Sequence, residues 1–89
     1  MVVEEGADLD RRVRKVIAEH GRLPVDVGPL DEHADLYQAG MTSHASVNLM
    51  LALESEFDVE FPDSMLKRSV FESVASITEA VEQLGPSPA

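Results

Sequence analysis

Apolar residues recur at helical spacing in three separate segments of this chain, and that periodicity directs it toward an all-α fold. Leu9, Val13, Val16 and Ile17 mark a first helix over residues 8–20. Gly21 is a suitable stop for it. Residues 43–57 carry a second pattern that ends in Glu54-Ser55-Glu56-Phe57-Asp58. Val74, Ile77, Val81 and Leu84 line one side of a last helix, with Ser73 as its cap. Between the last two, Asp63 to Arg68 suits a short helix, with Asp63 capping it and Lys67 and Arg68 at its negative end. Three main helices and one short helix predict a four-helix bundle. A chain of 89 residues makes a single domain, 1–89, because a second core would not fit. Its core is expected over about 8–84, with a loose tail from Gly85-Pro86-Ser87-Pro88.

The segment between the first two helices, residues 21–42, holds Pro24, Gly28 and Pro29 and shows no sustained period. A loop of that length is either functional or pinned by apolar anchors, here Leu30, Leu36 and Tyr37. The second helix is apolar over an arc of roughly 200°, wider than the ~100° stripe of a helix that faces one core. Met50, Leu49, Leu53 and Phe57 share one side of it, and Val47 and Leu51 extend the arc beyond them. The helix is either central to the bundle or holds Val47 and Leu51 in solvent for a partner, and a mixture of both is expected.

Charge narrows the partners. The net charge is −10, and between Leu23 and Leu66 there are nine acids and no Lys or Arg. An acidic middle repels nucleic acid and anionic membranes and speeds encounter with enzymes that have basic docking surfaces. The same acidity would also keep a small protein soluble and do nothing more. Met1 to Asp10 is acidic without a long apolar run, so no secretory signal is expected there, and no segment is apolar for long enough to span a membrane. The expected setting is the cytoplasm and the expected state a monomer. With no cysteine, any thiol chemistry must come from an added group.

Ser43 is the residue with most chemistry to offer. It lies in Ala39-Gly40-Met41-Thr42-Ser43-His44, a polar break just before the second helix. Thr42 is a suitable N-cap, which puts Ser43 near the first helical position, where free N–H groups and the helix dipole favour an anion. Such pairs also begin many helices with no role beyond capping. A hydrolase nucleophile is disfavoured: the Gly-x-Ser-x-Gly elbow is missing, no strand precedes, and His44 points about 100° away from Ser43 on a helix. His20, His33 and His44 lack metal-ligand spacing, and Asp58, Glu60 and Asp63 do not match a calcium loop. No Gly-rich phosphate loop is present. A serine at a helix mouth, with so little chemistry around it, suggests an attachment point more than a catalyst, and the chain is not expected to be an enzyme.

The run Asp35-Leu36-Tyr37-Gln38-Ala39-Gly40-Met41-Thr42-Ser43, then Val47-Asn48-Leu49-Met50-Leu51-Ala52-Leu53-Glu54, then Glu56-Phe57-Asp58-Val59-Glu60-Phe61-Pro62-Asp63, resembles the acyl and peptidyl carrier proteins. Phe71 to Leu84 fits their last helix, and the likeness covers roughly residues 8–84. The resemblance implies a four-helix bundle whose serine, here Ser43, receives a covalent 4′-phosphopantetheine arm from coenzyme A. A phosphopantetheinyl transferase with a magnesium ion would make that bond, and the thiol at the arm's end would hold an acyl or aminoacyl group as a thioester. The chain would then be a phosphoprotein that passes its cargo from a loading ligase to a downstream acceptor enzyme.

Two departures from the family pattern bear on the partners. Thr42 and His44 stand where the family usually has Asp and Leu, and no acid lies between Asp35 and Glu54. Docking beside Ser43 is therefore expected to be less electrostatic than usual. The pattern is similar to small stand-alone aminoacyl carriers, loaded by ligases related to class II aminoacyl-tRNA synthetases. On this reading partners would bind Met41, Thr42, His44, Val47, Leu51 and Glu54. The alternative is a non-enzymatic helical adaptor that lacks the prosthetic group and binds its partner through Val47, Leu51 and the acidic middle.

Overall fold

The computed structural model of the chain describes residues 5–85, with side chains from residue 8 onward; the expected loose tail from residue 86 and residues 1–4 lie outside that range. The elements are α1 (Glu5–His20), α2 (Ser43–Phe57), a 3-10 turn (Asp63–Met65), α3 (Arg68–Phe71) and α4 (Val74–Leu84). Among the described residues there is no strand. The all-α bundle expected from the periodicity is the observed architecture, with α1 starting three residues before the expected residue 8. No helix among the described residues is long and apolar enough to cross a membrane.

One hydrophobic cluster joins the elements. Val13, Val16 and Ile17 of α1 meet Leu49, Leu53 and Phe57 of α2 and Val74, Ile77 and Val81 of α4. α1 packs on both α2 and α4, and α3 packs on α4. Sequestering these side chains from water is the main drive for the fold, at about 1.5–3 kcal/mol for each large one.

The caps follow the local chemistry. Thr42 adopts an extended conformation and its Oγ1 accepts the Ala45 N–H at 3.0 Å, which starts α2 at Ser43. Asp58 ends α2 in the left-handed region, at φ 53°, and its N–H returns to the Glu54 carbonyl. Ser73 and Ser76 form a capping box at the start of α4. Gly21 ends α1 for a reason other than a left-handed turn. A Cβ there would lie 2.8 Å from the Ile17 carbonyl oxygen, while Arg22 is the residue at positive φ.

Residues 21–42 are pinned at several points. Arg14 Nη1 donates to the carbonyls of Val27, Gly28 and Leu30, at 3.0, 3.1 and 2.6 Å. Asp10 Oδ1 holds the Arg14 Nε at 2.7 Å. The Leu36 N–H donates to the Glu72 carbonyl, and the Ala75 N–H to the Glu32 carbonyl, so the loop is stitched to the entry of α4. Leu36 is fully buried, and Leu30 and Tyr37 are half-buried against the core. Val27 and Met41, both buried, are further anchors.

The short helix differs from the sequence expectation. Asp63 does not cap it: Asp63–Met65 is a 3-10 turn, and no side chain caps that turn. Leu66 breaks the path at φ −88°, ψ 68°, and α3 begins only at Arg68. Lys67 and Arg68 therefore stand at the entry of α3, not at the negative end of a helix. Tertiary packing decides this. Phe71 must reach the core, where its ring lies 5.3 Å from that of Phe61.

Candidate functional site

Ser43 is the first residue of α2 and is exposed. Its neighbours' hydroxyls are committed. Thr42 Oγ1 caps the helix, and Ser46 Oγ donates to the Ser43 carbonyl at 2.7 Å. Ser43 Oγ has no hydrogen bond among the described residues, so it is the hydroxyl of the three left for chemistry. The first turn of α2 contains no acid, and its dipole favours an anion at this end.

Beside Ser43 lies an open groove of about 330 Å³ between α2 and the segment that leads into α3. Val47, Met50, Leu66 and Phe71 form its apolar wall, and Tyr37, Ser46, Lys67 and Arg68 its polar rim. The Arg68 guanidinium carbon sits 4.2 Å from the centroid of the Tyr37 ring, which holds that side chain at the rim. No Asp or Glu lines the groove. Sequence reasoning did not connect Lys67 and Arg68 with Ser43. The usable signal was their isolation, since they are the only Lys or Arg after Arg22.

The other candidate residues divide. Thr42 and His44 are exposed next to Ser43. Val47 and Leu51 are each 53 % exposed, so both lie in solvent while Leu53 on the opposite face is fully buried. They do not share one pocket. Val47 faces the groove at Ser43, whereas Leu51 lines a second cleft with Glu19, His20, Arg22, Asn48 and Ala52. Met41 is corrected: it is 3 % exposed and packs in the core, out of reach of a docking partner. Glu54 is half-buried, and its Oε2 accepts the Phe61 N–H at 2.8 Å. Its carboxylate thus braces the chain after α2. Glu56 pairs with Arg12 at 3.2 Å, and Arg12 also lies over Phe57. Among the described residues no cluster of His, Cys, Asp or Glu could hold a metal ion.

Comparison with known proteins follows the same line. The family model described as "Phosphopantetheine attachment site" matches residues 11–81. The chain is 43% identical over 74 residues to the aminoacyl carrier protein of Agrobacterium fabrum (strain C58), covering 83% of this chain and 89% of that one. It superposes with a TM-score of 0.81 and 43% identity on a chain in the crystal structure of an engineered Bradyrhizobium japonicum glycine:[carrier protein] ligase complexed with carrier protein from Agrobacterium tumefaciens and ATP. That superposition covers 84% of this chain and 97% of the other. A second such structure contains the Bradyrhizobium japonicum ligase with glycylated carrier protein; there the TM-score is 0.70 and the identity 29%, over 82% of this chain and 97% of that one.

The surroundings of Ser43 fit the group that defines this family. 4′-Phosphopantetheine is anionic where it joins a protein, and here an exposed, unbonded hydroxyl opens onto a groove with two cations and no acid. Lys67 and Arg68 supply positive charge at the rim, and Val47, Met50, Leu66 and Phe71 supply apolar surface beside it, the two kinds of surface such a group would need. The family match runs from α1 to the last turns of α4 and takes in every element that builds the groove. On that ground the chain belongs to the phosphopantetheine-attachment family and is a carrier protein, not an enzyme.

Proposed function

We propose that Ser43 Oγ is the attachment point of the 4′-phosphopantetheine arm, and that this single-domain monomer carries an aminoacyl group between a ligase and an acceptor enzyme. The observation that carries the reading is the free, exposed hydroxyl of Ser43, set between Thr42 and Ser46, whose own hydroxyls are occupied. Attachment forms one Ser43 Oγ–P bond and breaks the pyrophosphate link of coenzyme A. The hydroxyl proton is lost and adenosine 3′,5′-bisphosphate leaves. When bound, the arm supplies a terminal thiol that holds an acyl group as a thioester. The chain contributes the tether, and with it the effective concentration of cargo at a docked enzyme.

An amino acid is the favoured cargo because the aminoacyl carrier protein of Agrobacterium fabrum matches at 43% identity, above the 37% of the Caulobacter vibrioides acyl carrier protein, and one solved neighbour is glycylated. The loading partner is then an amino-acid-activating ligase, preceded by a phosphopantetheinyl transferase and followed by an acceptor, all in the cytoplasm. Thr42, His44, Val47 and Leu51 form the docking face around Ser43. With no acid in the first turn of α2, that face recognises partners more by apolar contact than by charge.

Intact mass tests the attachment. Incubation with coenzyme A, magnesium and a broad-specificity transferase adds the mass of one arm to the wild-type chain. Ser43→Ala gains nothing and keeps its helical circular dichroism. No added mass on the wild type, or an arm on another residue, overturns the reading.

A further inference from the structure

The chain places its last two basic residues where a protein of net charge −10 has least need of them for solubility. Lys67 and Arg68 are the only Lys or Arg among the 67 residues that follow Arg22, and both line the groove that opens at Ser43. They are separated from Ser43 by more than twenty residues of chain. Folding alone unites them, through the Glu54 brace on the Phe61 N–H and the burial of Phe61 and Phe71 on either side of Leu66–Arg68. Arg68 is already positioned by the Tyr37 ring. Among the described residues neither cation forms an ion pair, although the chain offers seventeen acids. A pair of cations left unpaired in so acidic a protein, in a groove without a carboxylate, is suited to an anion that arrives later.

We propose that Lys67 and Arg68 form a phosphate grip, holding the phosphodiester on Ser43 Oγ against the α3 side of the groove. The proposal rests on attachment at Ser43. Arg68, stacked on Tyr37, presents guanidinium N–H groups from a fixed position, and Lys67 supplies a mobile ammonium that closes on the same oxygens. Held at its root, the arm leaves the protein along the α3 side of the groove, away from the exposed Leu51 face. The ligand class is a phosphate monoanion in ester linkage, and the grip is intramolecular, so it operates whether or not a partner is docked.

The test uses the full chain carrying the arm, with its mass checked first, and reads the phosphorus resonance by NMR. In wild type the phosphodiester resonance should change as salt is raised from low ionic strength to about 1 M, where screening falls to ~3 Å. In Lys67→Gln the low-salt resonance should move part of the way toward the wild-type high-salt position, and in Lys67→Gln/Arg68→Gln it should already sit there, with the salt dependence lost. Backbone amides of residues 66–69 should shift on arm attachment in wild type and less in the double variant. Lys67→Gln alone, at an exposed position, leaves the Arg68–Tyr37 contact in place. A wild-type chain that accepts no arm overturns attachment at Ser43 and the grip with it. An attached arm whose phosphorus resonance ignores both salt and the substitutions overturns the grip alone.

Discussion

Gly40 lies against the ring of Pro24 so closely that a Cβ on it would sit 2.6 Å from the proline Cδ. Its φ of +125° is one that side-chain-bearing residues rarely adopt. This contact fastens the long loop just before the cap of α2, and so fixes where Ser43 emerges. Gly40→Ala should destabilise the domain by about 1–3 kcal/mol, the range for a strained backbone position. Gly28→Ala, where the nearest atom would be at 3.5 Å, should be near neutral. Urea unfolding of the two variants checks the contrast.

Arg14 reaches three loop carbonyls from α1, and it is only partly exposed. Arg14→Ala should cost about 1.5–3 kcal/mol, in the range of charge-assisted hydrogen bonds. Arg14→Lys should recover only part of it, because an ammonium cannot reproduce the guanidinium fork. Hydrogen exchange should show faster opening around residues 27–30 and little change in α2.

Leu53 and Leu51 stand two residues apart on α2 and differ completely in environment. Leu53→Ala should cost about 2–5 kcal/mol, as for other buried leucines. Leu51→Ala should stay within about 0.5 kcal/mol, as for other surface changes. Its expected effect is instead slower aminoacyl loading by the ligase, seen in single-turnover kinetics. Equal destabilisation by both would remove Leu51 from the docking face.

Glu54 braces Phe61, so reversing its charge disturbs the groove before it disturbs any partner. Glu54→Ala should lower stability by about 1–3 kcal/mol, the penalty for a partly buried N–H left unpaired. Glu54→Gln keeps an acceptor and should be milder. Breaking the exposed Arg12–Glu56 pair should change stability by about 0–1 kcal/mol. Thermal unfolding of the three variants separates bracing from surface charge.

Much of the fold was legible in the residues. The periodicity placed three long helices, and short-range hydrogen-bonding chemistry placed Thr42 and Ser73 as caps. The wide apolar arc on α2 marked Val47 and Leu51 as surplus to one core, and both are exposed. The region around Lys67 was misread, since four helical residues carry too little pattern to compete with the pull of Phe61 and Phe71. Met41 was misassigned because position beside Ser43 says nothing about which way a side chain packs.

By itself, then, the amino-acid order determined the three long helices, where α2 begins, and that a serine stands at its mouth. Those outcomes depend on interactions within four residues along the chain. Tertiary structure alone decided that Lys67 and Arg68 share a groove with Ser43, that Arg14 clamps the loop, that Glu54 is a brace, and that Val47 and Leu51 line different clefts. Each of these joins residues distant in sequence, and what brings them together is the burial of a shared apolar core, which leaves no local signature in the residues it positions.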